Sequence, residues 1–185
     1  MMDELYSEEL EEDDELMLSQ EGDQYLFFVV GDDLYGISSN AVVEMVEYQG
    51  LTKVPMMKPY VKGVTNIRGN IISVIDLQGR FGFGFGESEI SERTSLVIVK
   101  KKLMRTASDE EEGHESEEMM AIVVDKVHEV GYISDKDIKT TPAFGTKIPV
   151  KYIKDMAMYK NEYIALLNID TILDYSDISQ LGELS

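Results

Sequence analysis

The chain lacks cysteine, has only two histidines among its 185 residues, and contains no long apolar run. The absence of cysteine excludes a disulfide framework, a thiol nucleophile and a Cys-ligated metal. No apolar run approaches the ~20 residues that a membrane-spanning helix needs. The N-terminus opens with acidic residues instead of a basic and then apolar signal segment. The sequence therefore predicts a cytosolic protein.

Few residues could carry catalysis or hold a ligand. His114 lies in an acidic segment and His128 has no second histidine nearby, so both are expected at the surface. The acidic segment lacks the spacing of a calcium loop, and no metal site is predicted. Residues 81–86 (FGFGFG) lack the spacing and the Lys-Ser or Lys-Thr pair of a phosphate-binding loop. We therefore expect neither an enzyme nor a cofactor site.

The net charge of -19 is concentrated in two segments. Residues 1–24 hold 11 acidic residues, residues 106–118 hold 7, and neither segment contains Lys or Arg. The rest of the chain holds 18 acidic against 17 basic residues and is almost neutral. Acidic segments repel phosphate groups, so nucleic acid and anionic membrane are not expected partners. We interpret residues 1–23 as a disordered tail and residues 105–118 as a mobile hairpin loop.

Short strand signals separated by turn residues follow one another along the chain, which is typical of an all-β sandwich or barrel. Several segments of the first half are echoed in the same order in the second half, which predicts an internal duplication. The echoed pairs are 43–46 with 127–130, 52–55 with 139–142, 60–64 with 152–156, and 70–76 with 164–170. Asp76 and Asp170 are thus expected at equivalent strand ends, as turn or cap residues.

The duplication predicts two small barrels of about five strands that share a core, because one such barrel alone buries little apolar surface. We expect the first barrel over residues 24–88, completed by C-terminal residues. We expect the second barrel over residues 89–170. A C-terminal helix and tail should follow over residues 171–185, with helix-like apolar spacing over 171–181.

Arg68 is the most informative charged residue. It lies among Val64, Ile67 and Ile71, where a semi-buried guanidinium requires a carboxylate partner. Glu44, within another apolar stretch, is the predicted partner. The pair could hold the fold together or shape a protein-binding surface, and the residue types leave both roles open.

The run 60–77 (YVKGVTNIRGNIISVIDL) closely resembles the core of CheW-like domains. Residues 34–37 (LYGI), 42–46 (VVEMV) and 123–127 (VVDKV) resemble further segments of the family. Residues 166–170 (LLNID) resemble its closing strand, so the similarity extends over about residues 24–175. The resemblance implies two intertwined, SH3-like, five-stranded barrels with a few short helices.

The resemblance also implies a function. CheW-like proteins are non-enzymatic scaffolds that bind the regulatory domain of the histidine kinase CheA and the cytoplasmic tip of methyl-accepting chemoreceptors. Such a protein is recruited from the cytoplasm to membrane receptor arrays, without inserting into the membrane itself. The positions that the family links to partner binding or coupling fall on Arg68, Glu44, Gly63, Val42, Val97 and Ala121. Ala121 departs from the family pattern, because a glycine is frequent there.

Two alternatives stay open at this point. An adaptor of the same fold could serve another receptor–kinase pathway, which the residues alone do not distinguish. A nucleic-acid-binding β-barrel would need a basic groove with exposed aromatic side chains. The nearly neutral body of the chain has no basic stripe, which disfavours this second alternative.

Overall fold

The computed structural model describes residues 22–83, 90–102, 117–140 and 145–174. These residues form eleven β-strands and two short α-helices. The strands are β1 (Asp23–Val30), β2 (Asp33–Ser38), β3 (Val42–Glu47), β4 (Val61–Ile67), β5 (Asn70–Asp76), β6 (Ser95–Lys102), β7 (Glu117–Val124), β8 (Lys126–Ile133), β9 (Ile138–Lys139), β10 (Ile153–Tyr159) and β11 (Glu162–Leu167). The helices are α1 (Leu77–Phe81) and α2 (Ile169–Ile172).

The strands form two sheets. The six-stranded sheet has the order β8-β1-β2-β11-β10-β9, and we call it barrel A. The five-stranded sheet has the order β3-β6-β7-β5-β4, and we call it barrel B. The predicted all-β architecture of two intertwined, SH3-like barrels is confirmed. Barrel A has six strands instead of the expected five, because the two-residue strand β9 adds to its edge. None of the helices in the described ranges is long and apolar enough to cross a membrane.

Each barrel takes strands from both halves of the chain. The β1–β2 hairpin pairs with β8 and β11, which come from the second half. The β6–β7 hairpin pairs with β3 and β5, which come from the first half. The two hairpins are therefore exchanged between the halves, and the sheets do not follow the contiguous division into residues 24–88 and 89–170.

The internal duplication is visible strand by strand. β3 corresponds to β8, and the β4–β5 hairpin corresponds to β10–β11. Val43 in β3 and His128 in β8 are each skipped by the register of the neighbouring strand. Lys62 in β4 and Lys154 in β10 are skipped in the same way. Such bulges insert one extra residue into a strand, and their coincidence fixes which positions correspond.

These correspondences confirm the predicted echo of 60–64 with 152–156 in register and shift two others. They confirm the echo of 52–55 with 139–142 at its first position, and residues 141–142 lie outside the described residues. Thr52 corresponds to Lys139, since they pair with Val64 and Met156 at matching places. The pairing also shows that Glu44 corresponds to Glu129, one position away from the predicted echo. The run 70–76 corresponds to residues 162–168, a shift of two positions. A shift of two preserves the alternation of a strand, so the apolar pattern alone could not reveal it.

The two short helices begin with equivalent caps. The Asp76 carboxylate accepts a hydrogen bond from the Gln78 amide at 3.1 Å. The Asn168 side chain accepts one from the Thr171 amide at 3.2 Å. The predicted cap role of Asp76 is confirmed, but its equivalent is Asn168, and Asp170 lies inside α2.

Several predicted segments extend beyond the described residues. Residues 1–21, 103–116 and 175–185 lie outside them, so the tail and most of the acidic loop are untested. Glu117 and Glu118, assigned to that loop, instead belong to β7, opposite Lys102 and Lys101. Cross-strand pairs of opposite charge stabilise such a hairpin stem. The predicted helix from residue 171 begins earlier, at Ile169, and its described turn ends at Ile172.

The barrels share one core and each has a second core of its own. The shared core combines residues of both sheets, including Phe28 and Tyr35 of barrel A and Ile75, Val97 and Ile122 of barrel B. A smaller cluster fills barrel A and another fills barrel B. The shared core supplies the apolar burial that neither small barrel has alone.

Arg80 of α1 is a buried charge at the junction between the barrels. Its Nε donates to the Ile172 carbonyl at 2.9 Å, and its Nη2 donates to the Thr171 carbonyl at 3.5 Å. Its guanidinium carbon lies 4.6 Å from the ring centre of Tyr60 and 5.1 Å from that of Tyr152. Hydrogen bonds and aromatic faces offset the cost of burying this charge.

Candidate partner-binding site

Arg68 and Glu44 meet at one end of barrel B. Arg68 Nη2 donates a hydrogen bond to Glu44 Oε2 at 2.9 Å, so the predicted ion pair is present. The expected semi-burial of Arg68 is wrong, since its side chain is 79% exposed whereas that of Glu44 is 23% exposed. Arg68 is exposed because it occupies the turn after β4 and not the strand itself.

A tight turn presents Arg68 to solvent. Arg68 has a φ of 51° and Gly69 a φ of 87°, as in the two-residue turns that favour β-hairpins. The Asn66 side chain accepts a hydrogen bond from the Gly69 amide at 2.8 Å. The N-x-R-G sequence therefore has a local structural reason, because Asn66 and Gly69 build the turn that projects Arg68.

The ion pair bridges the two edge strands of the barrel B sheet. Glu44 lies on β3, and Arg68 follows β4, at opposite ends of the strand order. Exposed ion pairs contribute about 0–1 kcal/mol to stability. The larger consequence of this pair is therefore the shape and charge of the surface between β3 and β4.

A cavity of about 250 Å³ opens beside the ion pair. Its lining combines the two charged side chains with apolar ones, among them Val43, Ile67 and Ile72. Val43 is 46% exposed, and Ile71, which follows the cavity residue Asn70 on β5, is 74% exposed. Apolar side chains around a fixed charge pair are the features of a surface that another protein can cover.

Gly63 is buried, and its backbone conformation and close contacts require a glycine at this position. Its φ of 151° is unfavourable for other residues. A Cβ at this position would lie 2.4 Å from the Thr52 carbonyl oxygen. Thr52 and Val64 exchange two backbone hydrogen bonds of 2.9 Å beside it. Gly63 thus lets the segment before β4 approach the strand.

The other three predicted positions differ in exposure. Val42 begins β3, is half-buried and packs against the shared core. Val97 on β6 and Ala121 on β7 are fully buried. The structure therefore brings only Glu44 and Arg68 together at the surface, while Gly63, Val97 and Ala121 could affect a partner only through the shape of the barrel.

A second ion pair was not predicted from the sequence. Lys160 and Glu129 pair at the end of barrel A, at the positions that correspond to Arg68 and Glu44. Lys160 and Asn161 have φ values of 47° and 68°, which repeat the turn geometry of Arg68 and Gly69. Aligning the β10–β11 hairpin with β4–β5 by their turns would have revealed this pair.

The second pair changes the titration of its members. The hydrogen bond from Lys160, followed by one from the Tyr159 hydroxyl, lowers the pKa of Glu129. The same hydrogen bond raises the pKa of Lys160. Burial, and then the hydrogen bond to Glu129, raise the pKa of Tyr159. His128 Nε2 lies 3.2 Å from the same carboxylate.

No group of three or more His, Asp or Glu side chains within the described ranges could hold a metal ion. The distinctive features of both barrel ends are instead exposed ion pairs beside apolar or aromatic side chains. The arrangement therefore offers surfaces for binding.

Comparisons with known proteins agree with this architecture. A family model described as "CheW-like domain" matches residues 24–177. The chemotaxis protein CheW of Treponema pallidum (strain Nichols) is 25% identical over 171 residues, which cover 91% of this chain and 92% of that protein. The chemotaxis protein CheW of Bacillus subtilis (strain 168) is 27% identical over 153 residues, covering 83% and 88%. The crystal structure of the scaffolding protein TtCheW from Thermoanaerobacter tengcongensis superimposes with a TM-score of 0.67 and 26% identity, covering 84% of this chain and 90% of that one.

Proposed function

This chain belongs to the CheW-like domain family of chemotaxis coupling proteins, and we propose that it is a non-catalytic scaffold that couples chemoreceptors to the histidine kinase CheA. The observation that carries this proposal is the exposed Glu44–Arg68 pair at the end of barrel B. Arg68 lies on the β4–β5 hairpin, whose sequence resembles the family core most closely. The protein would act in the cytoplasm and be recruited to receptor arrays through its partners.

The proposed mechanism is physical. One face holds the regulatory domain of CheA, and another holds the cytoplasmic tip of a receptor. A change in the receptor then shifts the populations of kinase conformations without any chemical step in the scaffold. Each contact needs only modest strength, because a repeated array adds many of them.

Exposure supports a binding role for the ion pair over a fold-holding one. Arg68 is largely exposed, and an exposed pair adds little stability. The apolar side chain of Val43 lines the cavity beside the pair and stays 46% exposed. We infer that Glu44 and Arg68 contact a partner directly. Gly63, Val97 and Ala121 would maintain the barrel that presents them, and Val42 would support β3 from its half-buried position.

The test compares Arg68→Ala with Lys160→Ala, its counterpart in barrel A. Both variants are measured for thermal unfolding and for activation of CheA in membranes that contain receptors. We expect Arg68→Ala to lose most of the kinase activation while its melting temperature changes by less than about 4 °C. Lys160→Ala serves as the matched control for losing one exposed cation.

Two results would contradict this assignment. If Arg68→Ala unfolds outright, the pair is structural and the binding role is wrong. If Arg68→Ala folds and activates the kinase fully, the pair is not part of the coupling surface. Replacing CheA by a kinase of another receptor pathway in the same assay identifies which kinase the scaffold serves.

A further inference from the structure

A groove at the end of barrel A repeats the candidate site in a larger form. Its volume is about 650 Å³, against about 250 Å³ for the cavity beside Arg68. Most residues that line the smaller cavity have their counterparts in the lining of the groove. For example, Tyr159 stands at the position of Ile67, and Lys160 at that of Arg68.

The groove is larger than its counterpart because one connecting segment of the chain is longer. The connection from Lys139 to Tyr152 is five residues longer than the corresponding connection from Thr52 to Tyr60. Residues 145–148 of this longer connection form one wall of the groove. Residues 145–148 thus add a wall to the groove at the end of barrel A.

The chemistry of the rim also differs. The position of the exposed Ile71 in barrel B corresponds to that of Tyr163 in barrel A, which is 62% exposed. Asn70 is replaced by Glu162, which adds a carboxylate to the groove lining. The deeper part of the lining is apolar, with Ile153, Met156 and Ala165 among its residues.

The charges at the mouth leave an excess of carboxylates. Lys147 Nζ lies 2.6 Å from Asp33 Oδ1, and Lys160 pairs with Glu129, so both lysines are already paired. Asp32 and Glu162 are exposed and line the groove. Neither forms an ion pair within the part of the chain that the structure describes. The mouth therefore favours a positively charged group.

We propose that this groove binds a partner polypeptide segment in which an arginine is flanked by apolar side chains. The apolar lining receives the flanking side chains. Glu162 and Asp32 accept hydrogen bonds from the guanidinium, and the exposed ring of Tyr163 offers a face on which it stacks. Lysine fits less well, because its ammonium lacks the planar surface for stacking. Binding here requires neither the kinase nor the receptor and is separate from the Glu44–Arg68 site.

The test uses the isotope-labelled full chain and three acetylated hexapeptides that differ at one position. They contain the sequence Leu-Arg-Leu, Leu-Lys-Leu or Leu-Glu-Leu. Titration is followed by NMR chemical shifts. We expect the arginine peptide to shift the amide signals of Glu162, Tyr163 and Ala165, the lysine peptide to bind several-fold more weakly, and the glutamate peptide to leave these signals in place.

Single substitutions locate the binding. Tyr163→Ala and Glu162→Gln should each weaken the arginine peptide by about threefold to tenfold. Ile71→Ala, the counterpart of Tyr163→Ala in barrel B, should leave the affinity unchanged. The variants' own NMR spectra show whether they fold. Shifts centred on Arg68, equal responses to the arginine and glutamate peptides, or no response at millimolar peptide would each overturn the assignment.

Discussion

The ends of barrel A and barrel B carry ion pairs at corresponding positions, but the side chains around the two pairs differ. Glu44–Arg68 stands beside the aliphatic side chains of Val43 and Ile67, whereas Glu129–Lys160 stands beside His128, Tyr159 and Tyr163. The duplicated backbone places an acid on one strand and a cation on a neighbouring turn in both barrels. The position of each pair therefore follows from the fold, while the side chains around the pairs differ between the two barrels.

The largest predicted difference between the barrels concerns Gly63. Its counterpart in β10 is Asp155, which shows that barrel A accepts a side chain where barrel B does not. Gly63→Ala should lower the free energy of unfolding by about 3 kcal/mol, through backbone strain and a clash with Thr52. Asp155→Ala should change it by less than about 0.5 kcal/mol. Urea unfolding curves measure both, and equal losses would show that the two strands are packed alike.

The second-largest predicted effect on stability concerns the junction between the barrels, where the two helices carry different side chains at equivalent positions. Arg80 of α1 corresponds to Ile172 of α2, so only one side supplies a cation. Arg80→Met keeps much of the side-chain volume but leaves the Ile172 carbonyl without its donor. We expect a loss of about 2 kcal/mol in the free energy of unfolding. Chemical denaturation would contradict this role if the variant were as stable as the parent.

The ion pairs themselves should have small effects on stability. Glu44→Gln removes the charge of a partly exposed carboxylate and should cost less than about 1 kcal/mol. High salt should reduce this cost further, because it screens exposed charges. Thermal melts at low and high salt measure both effects. A large loss that salt does not change would indicate that the pair holds the fold together.

The smallest predicted effect is the pH dependence of the barrel A pair. Lys160 lowers the pKa of Glu129 in the folded state, so the pair stabilises the protein above the unfolded pKa of about 4.5. This contribution is lost as the pH falls through the lowered folded pKa. The stability difference between the parent and Lys160→Ala should therefore be constant near neutral pH and shrink below about pH 4.5. Urea unfolding at a series of pH values measures it, and a difference that grows on acidification would contradict the assignment.

The sequence predicted those parts of the molecule that depend on local pattern. Strand-rich segments, turn residues and the family-like run led to two intertwined barrels and to the pairing of Arg68 with Glu44. The exposure of Arg68 was missed because its neighbours in sequence are apolar, although the turn at Gly69 projects it away from them.

Other features depend on contacts between distant parts of the chain. Which hairpins exchange between the halves was not predictable, because β1 and β6 both contain buried apolar runs that could pair with either half. The run 70–76 was matched two residues out of register because a shift of two preserves the alternation of a strand. The burial of Arg80 depends on α2, which is far away in sequence, and no nearby residue indicates it.

Co-sedimentation with CheA and receptor-containing membranes tests the central claim most directly. The parent protein, Arg68→Ala and Lys160→Ala are compared at equal concentration, after circular dichroism has shown that each is folded. We predict that the parent and Lys160→Ala sediment with the complex, whereas Arg68→Ala stays largely in the supernatant. Equal sedimentation of folded Arg68→Ala and the parent would contradict the claim that the end of barrel B is the coupling surface.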